Sequence, residues 1–179
     1  MSSKNKIRLK PYINGSIMLT RLPEISLRPV RIEDCHIIWE WANNFDIRQA
    51  SFNENLIDWE THIKWFKNKL RDPHCYYWIG LNSDKKSVGQ IRFDLDPKTH
   101  EAVVSISISP QFQGRKYGQV LLEEASDILF KKTSAVCIKA FVKLKNQRSA
   151  HVFKKAGFHE FSKAIINGCP SFIYMKSKQ

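Results

Sequence analysis

Apolar and small polar residues alternate near the middle of the chain, with Val104, Ile106 and Ile108 set against Ser105, Ser107 and Ser109. A period of two puts one set on a buried face and the other on an open one, which predicts a strand. Pro110 stops it, because proline has no N–H to give a ladder. The rest of the chain yields to the same reading. Ser26 to Val30 predicts a short strand. Cys35, Ile37, Ile38, Trp41 and Ala42 fall at helical spacing, and a second helix follows with Asp58 as its cap and Trp59, Ile63, Phe66 and Leu70 as its stripe. "CYYWIGL" and "KKSVGQIRFDL" predict two strands joined by the turn "NSDKK".

Beyond Pro110 a long helix is expected from about Gly114 to Lys131, with Tyr117, Leu121, Ala125, Ile128 and Leu129 on one face. "AVCIKAFV" predicts a strand, "NQRSAHVFKKAGF" a short helix ended by Gly157, and "PSFIYMK" a last strand. The order is strand, two helices, three strands, helix, strand, helix, strand. That is one mixed α/β domain over residues 26–179, preceded by a polar, turn-rich extension over residues 1–25.

Composition narrows the class. The chain has 179 residues, 42% of them hydrophobic and 26% charged, which suits one soluble domain with a full core. No apolar run nears the ~20 residues of a membrane span, so a cytoplasmic protein with no membrane partner is expected. The four cysteines, Cys35, Cys75, Cys137 and Cys169, stand singly, with no paired spacing and no histidine at ligand distance. They are expected to be reduced and mostly buried, and no metal is expected.

The net charge is +12 and uneven. Residues 131–179 carry eleven Lys and Arg against the single acid Glu160, a net of +10. This fits either a phosphate-binding surface or a solvated basic face. No RNP-like strand and no zinc finger accompany it, so no nucleic-acid partner is expected.

The loop after the alternating strand reads Gln113, Gly114, Arg115, Lys116, Tyr117, Gly118. A glycine-bearing turn from strand to helix presents free N–H groups and the positive end of a helix dipole, which together bind phosphate. It is neither a Walker loop nor a dinucleotide fingerprint. Twenty-eight residues past Gly118, beyond one strand, comes a second motif that starts at Asn146 and runs through Ser149, Val152, Phe153, Lys155, Gly157 and Phe158.

With both motifs in place the chain resembles the GNAT superfamily of acyl-coenzyme A dependent N-acetyltransferases. That resemblance covers roughly residues 26–179 and implies a central, mostly antiparallel mixed sheet with helices on both faces. It also implies two splayed strands that hold acetyl-coenzyme A, often opened by a bulge. The cofactor's diphosphate is then expected on the N–H groups of 114 to 119, including Gln119, and its pantetheine arm along Ile106, Ser107 and Ile108, with Asn146 and Phe153 beside it.

Three positions depart from the family pattern. Lys116 stands at the usual middle glycine, either as a phosphate contact or as a tolerated loop residue. Phe153 replaces the tyrosine that commonly protonates the leaving thiolate, which leaves Ser149 as a candidate donor. Val103 stands where many relatives have a glutamate, so Asp94 and Glu101 are candidate bases, with His62 and His100 behind them. How much a base matters depends on the amine. A lysine-like amine with pKa near ~10.4 costs about 4.6 kcal/mol to deprotonate at pH 7, and an α-amine about 1.4 kcal/mol.

The segment "WEWANNFDIRQASF" is similar to the subgroup that acetylates amino groups of nucleotide-linked deoxyamino sugars. This makes Trp41, Asn43, Arg48 and Arg92 candidate acceptor contacts, with Trp41 more at home in a core and the arginines equally at home in surface salt bridges. The expected activity is acetyl transfer from acetyl-coenzyme A to a primary amine on a small molecule. The rivals are a protein N-terminal acetyltransferase of the ribosomal-protein type and a non-catalytic cofactor-binding module. A homodimer is compatible with the exposed sheet edges.

Overall fold

The computed structural model describes residues 22–179. Most of the N-terminal extension, with "SSKNK" and "PYING", lies outside the described residues. Seven strands form one sheet: β1 (Ser26–Pro29), β2 (Cys75–Leu81), β3 (Ser87–Leu95), β4 (Glu101–Ile108), β5 (Cys137–Lys143), β6 (His159–Ile166) and β7 (Cys169–Ser177), in the spatial order β1-β2-β3-β4-β5-β7-β6. Every pairing is antiparallel except β4 with β5. That parallel pair requires a crossover, and α4 (Tyr117–Lys132) supplies it. The remaining helices are α1 (Cys35–Ala42), α2 (Phe45–Ala50), α3 (Trp59–Arg71) and α5 (Gln147–Lys155).

Each face of the sheet has its own core. Ile91, Phe93, Val104, Ile138 and Tyr174 pack with Leu121, Leu122, Ala125 and Leu129 of α4 and with Phe153 of α5. On the other side Val30, Tyr77 and Ile79 pack with Ile38 and Trp41 of α1 and Phe66 of α3. Full burial of side chains such as Phe66 and Leu121, both at 0% exposure, stabilises the fold by about 1.5–3 kcal/mol each. His62 is buried in the second core, sandwiched between Trp59 and Phe66, with Nε2 3.1 Å from the Cys35 carbonyl oxygen. Burial lowers its pKa. Asp58 caps α3 by accepting from the Thr61 N–H at 2.8 Å, as the sequence predicts.

Two elements are additional to the sequence reading, and one boundary moves. Helix α2 has only six residues and buries none of them, so no apolar stripe announces it. Strand β6 is an edge strand that leaves Phe161 and Ile165 exposed, and its polarity hid it. Its turn into β7 places Asn167 and Gly168 at φ 47° and 75°, the left-handed pair of a tight hairpin. Helix α4 begins at Tyr117, not near Gly114, because Gly114 and Lys116 are left-handed, with φ 75° and 66°. Of the four cysteines, all free, Cys35 and Cys137 are buried and Cys75 and Cys169 half-buried.

Candidate active site

Strands β4 and β5 pair only over Glu101–Val103 against Cys137–Lys139. Beyond that they part, while β4 stays zipped to β3 up to Ile108 and β5 stays zipped to β7 up to Lys143. No register break interrupts β4, so the gap opens without the bulge the resemblance allowed. The direction of the exposed backbone follows from one bond. The Ser109 N–H donates to the Val88 carbonyl oxygen at 2.9 Å, so Ser109 faces β3. In an antiparallel ladder orientation alternates, so Ile108 and Ile106 turn their N–H and C=O groups into the gap. The Ile108 carbonyl accepts from Gln113 Nε2 at 3.2 Å, on that open side.

The gap continues as a cleft of about 1080 Å³ that reaches from α5 to α2. That volume accommodates a long ligand and a second one end to end. At one end stands the start of α4. Its first N–H groups, on Tyr117, Gly118 and Gln119, have no intrahelical acceptor, and no side chain caps the helix. A Cβ on Gly114 would meet nothing within 4 Å, so the loop is open there. Gly118 is closely packed instead, and its Cβ would lie 3.3 Å from Val152. Helix α5 forms the facing wall, with Asn146 at its N-cap accepting from the Ser149 N–H at 3.0 Å. Arg148 reaches over to Gln113, Nη1 to Oε1 at 2.9 Å.

The cleft lining brings together Ile106, Ser107, Ile108, Gln113, Gly114, Lys116, Tyr117, Gly118, Gln119, Asn146, Ser149 and Phe153, all of them sequence candidates. Arg115 lies just outside, its guanidinium 5.9 Å over the Phe112 ring. Phe153 is 4% exposed and stacks on Tyr174, with its edge to Phe158.

The candidate bases stand elsewhere. Asp94 is absent from the lining and is bound twice, by Lys69 at 2.7 Å and Arg92 at 3.0 Å. Burial would raise its pKa, but the two cations outweigh burial and hold it below the usual carboxylate value. Glu101 lies at the closed end of the gap, paired with Lys139 at 2.7 Å.

All four acceptor candidates are likewise outside the lining. Trp41 is core at 6% exposure. Asn43 clamps Ile57, accepting from its N–H and donating to its carbonyl, both at 2.8 Å. Arg48 binds the carbonyls of Asn53 and Asn55 and the hydroxyl of Ser51, which braces the loop after α2. Arg92 sits 4.9 Å over the Trp65 ring.

The end of the cleft away from α4 is built by residues outside the candidate set. Asp46, Ile47, Ala50, Ser51 and Phe52 come from α2 and the turn after it, and Phe141 from β5. One local signal pointed there: Asn44 caps α2, accepting from the Asp46 N–H at 3.1 Å. Among the described residues no group of His, Cys, Asp and Glu is gathered for a metal ion, and no helix is long and apolar enough to cross a membrane.

A model of the acetyltransferase (GNAT) family matches residues 37–158. The chain is 25% identical over 147 residues to acetyltransferase PseH of Campylobacter jejuni, covering 82% of this chain and 87% of that one. It is 21% identical over 150 residues to spermidine N(1)-acetyltransferase of Vibrio cholerae, covering 81% and 87%. The fold is similar to the crystal structure of the Vibrio cholerae spermidine N-acetyltransferase in complex with CoA and spermine, with a TM-score of 0.75 and 20% identity over 84% of this chain and 92% of that one.

Proposed function

This chain belongs to the acetyltransferase (GNAT) family, and on that premise we propose that it carries an acetyl group from acetyl-coenzyme A to a primary amine on a nucleotide-linked amino sugar. The cofactor half rests on the free N–H groups at the start of α4, with Lys116, Arg148 and Lys155 around the same end of the cleft to meet phosphates. The pantetheine arm is a secondary amide chain, and the backbone of Ile106 and Ile108 offers it the ladder partners that β5 withholds. The bound thioester presents a carbonyl carbon to the amine, and the Ile108 N–H is placed to meet the oxygen as charge develops on it. The amine attacks in its neutral form, the C–S bond breaks, Ser149 gives its proton to the leaving thiolate, and the proton shed by the attacking nitrogen restores the hydroxyl.

The observation that carries the acceptor assignment is the charge of the cleft. Asp46 is the one carboxylate lining it among the described residues, beside the apolar Ile47, Phe52, Val103 and Phe141 and the hydroxyls of Ser51, Ser105 and Ser107. One carboxylate suits a ligand with a single ammonium on a ring of mixed polarity. A polyamine carries several ammonium groups, each needing a partner once it leaves water. That balance favours a sugar with one amine over a polyamine. Asp46 is then the group that receives the acceptor's ammonium. The nucleotide link rests on the resemblance of residues 39–52 to the sugar-nucleotide subgroup.

The test is thiol release from acetyl-coenzyme A with nucleotide-linked 4-amino sugars, free amino sugars, spermidine and basic N-terminal peptides, on wild type and Asn146→Ala. Turnover on the nucleotide-linked sugar, weakened in the variant, is the expected result. Turnover confined to spermidine or peptides overturns the acceptor, and cofactor binding with no turnover on any amine overturns catalysis.

A further inference from the structure

We infer that Lys143 is a positioning residue for the acceptor, acting through the α2 wall of the cleft; this rests on the reading above that the acceptor enters at that end. Lys143 is the last residue of β5 and its side chain is 2% exposed. Its ammonium donates to Glu54 Oε1 at 2.6 Å and to the Gln49 carbonyl oxygen at 3.1 Å. Gln49 is in α2 and Glu54 is in the loop after it, so one buried ammonium grips both ends of the stretch that contributes Ala50, Ser51 and Phe52 to the cleft. Lys145 adds a second, exposed contact to Glu54 at 3.2 Å.

The burial of this charge calls for a reason. A buried ion pair gains little over well-packed apolar residues, because desolvating both ions offsets their attraction. Methionine would carry the same stem without that cost. A directed ammonium does what a methionine cannot: it fixes a segment that the core holds only through Ile47. Helix α2 buries no residue fully and meets a core only through the half-buried Ile47, so packing leaves the stretch from Gln49 onward to be held by other contacts. The tether crosses from the strand on one side of the gap to the wall that closes the acceptor end, and Lys143 itself is not part of the lining. Its role is therefore to hold the wall at the distance the acceptor needs, with no contact to cofactor or reacting atoms.

The experiment compares Lys143→Met, Lys143→Arg and Glu54→Gln with wild type. Acetyl-coenzyme A affinity is measured by calorimetry, acceptor KM and kcat with whichever amine of the panel turns over, and amide exchange over residues 49–56. Lys143→Met is expected to raise acceptor KM at least tenfold, to leave acetyl-coenzyme A affinity within twofold, and to speed exchange over 49–56 at least tenfold without change in α4. Lys143→Arg should recover most of the KM. Glu54→Gln, at an exposed site that folding tolerates, should move KM in the same direction, and adding it to Lys143→Met should have little further effect. Unchanged exchange and KM overturn the inference, as does an equal loss of cofactor and acceptor binding. If wild type ignores the nucleotide-linked sugar, the proposed acceptor fails, but exchange and KM on another amine still decide the tether.

Discussion

Lys116→Gly is the substitution that most directly tests the loop. Lys116 is the N-cap of α4 at φ 66° and ψ 3°, a left-handed conformation. A side chain there costs about 1–2 kcal/mol, and glycine removes that cost. Glycine in turn loses about 0.5–1 kcal/mol more conformational entropy on folding. The net is a gain of up to about 1.5 kcal/mol, read as a rise in Tm of up to about 5 °C at roughly 2–4 °C per kcal/mol for a chain this long. The charge is a separate matter. An exposed lysine beside a diphosphate contributes about 1 kcal/mol at low salt, so its loss weakens acetyl-coenzyme A about fivefold and makes binding less salt-dependent. Lys116→Ala separates the two effects, since it keeps the strain and loses the charge. Calorimetric melts and cofactor titrations at two salt concentrations measure both. The reasoning fails if Lys116→Gly lowers Tm, or if the alanine variant gains as much stability as the glycine variant.

Gly89→Ala should damage the cofactor strand from behind. A Cβ there would lie 2.5 Å from the Ser107 carbonyl oxygen and 3.0 Å from the Ile108 Cα, so we expect a loss of about 1–3 kcal/mol in a denaturant melt and at least tenfold weaker cofactor binding. Ser149→Ala should lower kcat about a hundredfold while leaving cofactor affinity unchanged, and Phe153→Tyr in that background should restore part of it, read as steady-state thiol release. His62 sets an acid limit on stability. Its pKa is lowered by burial, so the unfolded chain takes up the proton first, near its ordinary value of about 6.5. Stability should be full above about pH 6.5 and fall as the pH drops below it, well above the range where Asp94, also lowered, begins to protonate. Denaturant midpoints from pH 8 to 5 measure this, and His62→Gln should flatten the slope.

The end of the cleft at α4 was legible because its signals are local. The alternation through Val104–Ile108, the stop at Pro110, the glycines of the loop and the cap at Asn146 each need only a few neighbouring residues to be read. Even the departure at Lys116 shows in the sequence, although only the backbone reveals that it shifts the helix start to Tyr117. The end at α2 is written in partners that lie far apart. Arg92 meets Trp65 and Asp94, and Asp94 meets Lys69, twenty-five positions away. Lys143 meets Glu54 across eighty-nine positions. A sequence displays a charge but not its partner, so Arg48 and Arg92 read as available for a substrate when both are braces.

The same contrast explains why α2 escaped notice and why it matters. Periodicity detects a helix through the face it buries, and α2 buries none. Its half-buried Ile47 packs against the second core, and the rest is held by polar contacts, among them Asn43 on Ile57 just beyond its loop and Lys143 on Gln49 and Glu54. A wall attached in this way can exchange its lining residues without disturbing either core, because Asp46, Ala50 and Phe52 are not part of one. The cofactor end has no such freedom. Gly118 is packed against Val152 and Ile108, and Gly89 against the backbone of Ser107. On the proposed reading the chemistry sits on rigid strands and the acceptor preference on a tethered helix, and substitutions at Asp46, Ala50 and Phe52 should change which amine is accepted while leaving acetyl-coenzyme A affinity and Tm nearly unmoved.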